Sequence, residues 1–280
     1  MRLAGKVALM AGCSPNINAG IALGLAEEGA KIVCADLKPD FARRCAEEIA
    51  KQGGSAIDVA CDVTNEEQVK ATLDRARQEY GGVDVLVNGA VIQNRKGLLD
   101  MSIAEFRRQI DIILSGVFLF SKHTAQQMIE LGRKGSIINI ASTEGHQGNP
   151  GNVGYGTGKA GILNFTRSIA MELAPHGIRV NSLTPTGTDA TEGLERAKEW
   201  GIEWAQAVSS RKKDFTRGNV GVPLGQQPSP RHYARAAVFL ASEDAEMITG
   251  FDLRVDAGTV ARYWRWEPGI ETYGMETPSP

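Results

Sequence analysis

The strongest constraint on this chain is an alternation. Short apolar runs rich in β-branched residues recur at residues 6–11, 31–36, 55–60, 83–88, 136–141, 178–183 and 251–255. Between them, helical periodicity runs through residues 19–28, 41–52, 66–80, 103–131, 158–173 and 230–241. Near-continuous apolar strands suit a parallel sheet whose crossover helices cover both faces. The spacing therefore predicts an α/β fold, a single doubly wound domain over residues 1–258 with a seven-stranded parallel sheet.

One stretch breaks the alternation. Residues 189–227 are polar, with Trp200, Trp204 and Phe215 interspersed, and a segment this long in a compact domain reads as a lid, a substrate loop or a partly disordered stretch. Residues 259–280 carry Tyr263, Trp264 and Trp266 before a Pro-rich end, and read as a docking strap at a subunit interface.

Composition narrows the partners. The chain has 280 residues, 42% hydrophobic and 23% charged, with a formal net charge of -2. It has no block of like charges, so neither nucleic acid nor a membrane surface is suggested, leaving small molecules and other subunits. Cys13, Cys34, Cys45 and Cys61 form no C-x-x-C pair, which argues against a zinc site, any other metal site or a disulfide framework. The chain passes through Lys6 straight into an apolar strand, with no signal-type core and no membrane-length run, so a cytoplasmic protein is expected.

Chemistry is suggested first by the turn after the first strand, from Gly12 through Cys13, Ser14, Pro15, Asn16, Ile17, Asn18 and Ala19 to Gly20. Amide groups at such a helix start, with the helix dipole behind them, favour a pyrophosphate. Asn16 and Asn18 stand where glycines would ease the backbone, and asparagine is the next residue able to take positive φ. Alone, the turn is equally compatible with an ordinary strand–helix connection. Asp36 ends the second strand, where a carboxylate can accept hydrogen bonds from ribose hydroxyls and would repel a 2′-phosphate, pointing to NAD rather than NADP.

The second signal is Tyr155 and Lys159, four residues apart at a helix start and so on one face. A neighbouring ammonium favours the phenolate and makes Tyr155 a usable acid or base. Such a pair is commonly a surface pairing. Ser142, at the carboxyl end of the strand at 136–141, lies on the sheet edge where α/β proteins bind ligands.

Together these residues resemble the short-chain dehydrogenase/reductase family, over nearly the whole chain. The resemblance implies a Rossmann-type domain in which Ser142 polarises the substrate oxygen, Tyr155 transfers the proton, and Lys159 holds the nicotinamide ribose while lowering the tyrosine pKa. It also implies cofactor contacts from Gly12, Ser14, Asn16, Ile17, Asn18, Asp36, Leu37, Asp62, Val63, Asn88, Gly89 and Ala90, and from Pro185, Thr186, Gly187 and Thr188. The chain departs from the family pattern at Asn16 and Asn18, in the Asn88-Gly89-Ala90-Val91 turn, and at Pro185-Thr186. Ile113 sits where the family usually has an asparagine that anchors a proton-relay water, and an isoleucine cannot hold one. Ile113 reads either as a core residue in an active enzyme or as the mark of a weakened relay in an NAD-binding sensor.

Between Ser142 and Tyr155 lie Glu144, His146, Gln147, Asn149 and Asn152. Opposite Trp200 and Trp204 they would form a polar wall for a hydroxylated substrate such as a polyol, sugar derivative or cyclic diol, although the same residues also suit a solvated loop. The expected activity is NAD-dependent interconversion of a secondary alcohol and its ketone. A non-catalytic NAD-binding regulator, or a lyase or epimerase using the same Tyr and Lys, is the alternative. The resemblance implies a homotetramer, with a dimer next.

Overall fold

In a computed structural model the described residues are 1–203 and 222–262. Seven strands, β1 (Val7–Ala11), β2 (Lys31–Asp36), β3 (Ala56–Ala60), β4 (Val85–Asn88), β5 (Ser136–Ile140), β6 (Arg179–Pro185) and β7 (Asp252–Val255), form one sheet. Its order is β3-β2-β1-β4-β5-β6-β7, with every neighbouring pair parallel. Order reverses between β1 and β4, which opens a crevice at the carboxyl edge there.

Period two divides each central strand between two cores. Ala8 and Met10 of β1 face one apolar layer with Ile32 and Cys34 of β2, whereas Val7, Leu9 and Ala11 face the other with Val33 and Ala35. Removing a side chain such as Leu9 from water contributes roughly 2 kcal/mol, which is why the runs are apolar throughout rather than alternating. β3, at the sheet edge, is half exposed instead.

Helices α1 (Ile17–Glu27), α2 (Pro39–Lys51) and α8 (Pro230–Ala241) cover the first layer, and α3 (Glu66–Tyr80) and α5 (Gly116–Glu130) the second. α1 and α8 cross at close range: a Cβ on Gly20 would lie 2.6 Å from that of Pro230, and one on Gly24 2.7 Å from that of Ala234. Only glycine permits that approach. Helix α6 (Val153–Leu173) packs beside β6 and carries the second chemical signal.

Two expectations required correction. The helix expected at 103–131 is α4 (Ile103–Ile110) and α5 joined by a π-helical turn at Asp111–Ser115. That turn widens the helix where it meets the crevice, a placement typical of functional sites. The stretch at 189–227 contains a helix, α7 (Thr191–Glu199), started by Asp189 Oδ1, which accepts from the Thr191 backbone N–H at 3.0 Å. Trp204 and Phe215 lie outside the described residues, as do Tyr263, Trp264 and Trp266 of the tail.

Among the described residues no helix is long and apolar enough to cross a membrane. All four cysteines are free and buried, and the sulfurs of Cys13, Cys34 and Cys45 lie within 4.8 Å of one another under β1 and β2. Burial pushes the Cys13 thiol well above its ordinary pKa, so it behaves as a small apolar side chain.

Candidate active site

A continuous cavity of about 2100 Å³ runs along the carboxyl edge of the sheet. It exceeds the few hundred to ~1,000 Å³ of an ordinary small-molecule pocket, leaving room for two ligands end to end. One end is walled by Asp36, Leu37 and Lys38, and the other by Ser142, Glu144 and Tyr155.

At the nucleotide end, Gly12 has φ +95°, and a Cβ there would lie 2.9 Å from the Ala90 backbone. This bare cradle continues into the start of α1, whose first turn carries no acidic residue and whose positive end opens on the cavity through Ser14, Asn16 and Ile17. Asp36 accepts backbone N–H bonds from Cys13 at 2.6 Å and Lys38 at 2.9 Å, and still lines the cavity. Burial holds its pKa above the ordinary carboxylate value, although the two amide bonds favour the charged form. The glycine cradle, the free helix end and the carboxylate at the far end of the crevice fit a dinucleotide.

The two asparagines do not act through positive φ. Asn16 has φ −96°, Asn18 lies within α1, and Ala257 is the only described non-glycine residue at positive φ. Asn18 instead donates from its side-chain amide to the Gly89 carbonyl at 2.8 Å, tying the α1 start to the turn after β4. Asn16 turns its side-chain oxygen, which has no hydrogen-bond donor, toward Gly193 of α7. α7 is held over the loop by Arg196, which donates to the Pro15 carbonyl at 2.9 Å and pairs with Glu48.

At the other end, Ser142 follows β5 in extended conformation, and its hydroxyl oxygen accepts from the Glu144 amide at 3.1 Å. Tyr155 stands in the first turn of α6, with the Lys159 Nζ 5.8 Å from its ring centroid. Lys159 is fully buried, donates to the Ile140 carbonyl, and burial lowers its pKa to about 7. The ammonium alone does not give Tyr155 the depressed pKa expected: burial raises it, a hydrogen bond to Ser142 lowers it, and the charges of Glu144 and Arg95 pull in opposite directions. Ile113, in the π-helical turn, is fully buried among Val117, Ala141, Ile162 and Leu163. A Cβ on Gly158 would lie 2.9 Å from its Cγ2. Ile113 therefore seals the space beside the Tyr155–Lys159 turn with hydrocarbon.

The cavity brings together Gly12, Ser14, Asn16, Ile17, Asn18, Asp36, Leu37, Asp62, Val63, Gly89, Ala90, Ser142, Glu144, Tyr155, Lys159, Pro185, Thr186, Gly187 and Thr188. Five expected site residues lie elsewhere. Asn88 is buried beneath the crevice and donates to Asn139 Oδ1 at 2.8 Å and Ser121 Oγ at 3.1 Å, so it braces β4 against β5 and α5. His146 turns to Asp252 on β7, 3.1 Å away. Asn149 is exposed in the loop, and Asn152 donates to Glu144 Oε2 at 2.6 Å. Trp200 is buried against α2, donating its indole N–H to Glu48 Oε2 at 2.9 Å. The polar wall therefore reduces to Glu144. Arg95, Arg107 and Arg108 line the cavity and were not anticipated, although their place beyond the carboxyl end of β4 is where such sheets take ligands.

Fold and site together define the class. Residues 12–260 match a family model described as Enoyl-(Acyl carrier protein) reductase. The chain is 36% identical to a (-)-isopiperitenol/(-)-carveol dehydrogenase of Mentha piperita, over 92% of this chain and 94% of the relative. It is 35% identical to a 3-oxoacyl-(acyl-carrier-protein) reductase of Vibrio cholerae, over 92% of this chain and 98% of the relative. A solved short-chain type dehydrogenase/reductase from Mycobacterium marinum superposes with a TM-score of 0.79 at 35% identity, covering 93% of this chain and 97% of that one. The chain belongs to the short-chain dehydrogenase/reductase family of oxidoreductases, which use a nicotinamide cofactor.

Proposed function

We propose that this protein is an NAD-dependent oxidoreductase that interconverts a secondary alcohol and its ketone. The observation that carries the reading is the convergence of Ser142, Tyr155 and Lys159 on one end of a cavity whose other end is a glycine cradle and a carboxylate. The bound nicotinamide would supply or accept the hydride. In the oxidative direction Tyr155 takes the proton from the substrate hydroxyl, and Ser142 donates a hydrogen bond to the same oxygen as it becomes a carbonyl. Lys159 stabilises the phenolate and offers its N–H groups to the nicotinamide ribose.

Asp36 supports NAD over NADP, because a 2′-phosphate would face a carboxylate whose lone pairs suit ribose hydroxyls. The exposed Phe118 on α5 and Met171 on α6 support a homotetramer, or a dimer, closing over these helices. A cytoplasmic location is proposed on the sequence reading alone.

The test is NADH production from a panel of secondary alcohols, polyols, sugars and cyclic diols, with NADP in parallel and Tyr155→Phe as control. Turnover should fall at least about a hundredfold in Tyr155→Phe while NADH still binds. Turnover that survives the substitution removes the central assignment.

A further inference from the structure

The substrate end of the cavity carries an imbalance that the hydride-transfer reading does not use. Three guanidinium groups line it: Arg95 in the loop after β4, and Arg107 and Arg108 on α4. None has a hydrogen bond or ion pair to any described residue. The carboxylates that line the same cavity keep their charge but accept from neutral donors and form no ion pair with these arginines. Glu144 accepts from Asn152 at 2.6 Å, Asp189 from Thr191 at 2.8 Å, and Asp111 from Ser115 at 3.5 Å.

The backbone on either side of Arg95 is held by its neighbours. Asn94 donates to Glu105 Oε1 at 2.9 Å and Lys96 to the same oxygen at 2.6 Å, while Gln109 donates to the Asn94 carbonyl at 3.0 Å. Glu105 is thereby taken by Lys96, Ser102 and Asn94, which hold its pKa down to about 2. The flanking residues pin the backbone and leave the guanidinium free, near enough to Tyr155 for its charge to act on the phenol. An exposed guanidinium on a pinned backbone, with no partner among the described residues and beside a proton-transfer residue, is suited to a planar anion on a reacting molecule.

We infer that the substrate carries an anionic group, a carboxylate or a phosphate ester, which Arg95 binds with Arg107 and Arg108 while the hydroxyl carbon faces Ser142 and Tyr155. This deepens the proposed function and rests on it. The physiological alcohol is then a hydroxy acid or a hydroxyalkyl phosphate rather than a neutral polyol. A neutral analogue would leave the arginines solvated and gain nothing from them.

The experiment uses the full-length protein and a panel of secondary hydroxy acids and hydroxyalkyl phosphates, each paired with its neutral amide or methyl ester. The kcat/KM ratio of anion to neutral partner should be about tenfold or more, carried mainly by KM and shrinking as salt rises. In Arg95→Gln the ratio should collapse to below about threefold, and Arg95→Lys should recover part of it. NADH affinity, read by fluorescence, monitors the other end of the cavity in each variant. Equal use of anionic and neutral partners by the wild type, or an undiminished ratio in Arg95→Gln, overturns the inference. Selective use of an acyl group on an acidic carrier protein, with no preference among free small molecules, overturns it as well. If no compound is turned over, the hydride-transfer reading is what fails. Anion binding to the protein–NADH complex, followed by quenching in wild type and Arg95→Gln, then decides the inference alone: equal or absent binding in the two proteins sinks it.

Discussion

At the nucleotide loop, Asn18 brings a polar side chain into a buried position, and its amide meets the Gly89 carbonyl at 2.8 Å. At the catalytic helix, Ile113 puts hydrocarbon into a position that the family usually fills with an amide, and Gly158 makes room for it by having no side chain. The first departure adds a tether between two turns, whereas the second closes a polar route with packing. A buried polar group is tolerated where its partner already exists, and a buried apolar group where its neighbour gives up volume. Asn16 lies between these cases, because its side-chain oxygen is buried with no donor.

This contrast can be broken at either end. The largest effect is expected from Ile113→Asn, which buries an amide among Val117, Ala141 and Ile162: a loss of about 2–4 kcal/mol in denaturant unfolding, with no gain in turnover. A large rise in turnover would show instead that the isoleucine throttles the proton path. Asn18→Ala should cost about 1–2 kcal/mol by leaving the Gly89 carbonyl without its donor, and titration should show weaker NADH binding. The third test concerns Lys159. Its folded pKa of about 7 lies below the ordinary 10.5, so between those values the unfolded chain holds the extra proton. The stability penalty is complete below pH 7 and is relieved as pH rises toward 10.5, so the melting temperature without cofactor should climb by a few degrees across that window. Lys159→Met should flatten the climb, and an unchanged slope would place the effect elsewhere. The smallest change is expected for Asn16→Ala, within about 0.5 kcal/mol, because no hydrogen bond is lost.

Most of the fold was legible because period two and the helical period are enforced by burial on both faces of the sheet. One end of the cavity was legible because Gly12, the α1 start and Asp36 follow the adjacent strands β1 and β2, whose strand–turn–helix spacing already sets them side by side. The misreadings share the opposite property. His146 turns to Asp252 and Trp200 to Glu48, partners brought in by distant segments that spacing does not reveal. Asn88 matches a cofactor motif, yet its amide is taken by Asn139 and Ser121 from below. The π-helical turn at Asp111–Ser115 was missed because its residues, Asp111-Ile112-Ile113-Leu114-Ser115, continue the apolar run of the flanking helices, and a turn this short carries no residue type that marks it. α7 was hidden by Gly193 and the polar residues around it, being held by tertiary contacts through Arg196 rather than by a broad apolar face.

The crossing of α1 and α8 joins segments that lie far apart in the sequence. During synthesis the helix that opens on the nucleotide cradle is made long before α8, and the surface that Gly20 and Gly24 present to Pro230 and Ala234 stays bare until α8 has emerged. A chain stopped before Pro230 lacks α8 and its share of one apolar layer, and leaves Tyr233 and Leu240 missing from the interior. The order of synthesis thus leaves the dinucleotide half, made before most of the sheet, incomplete until α8 follows it.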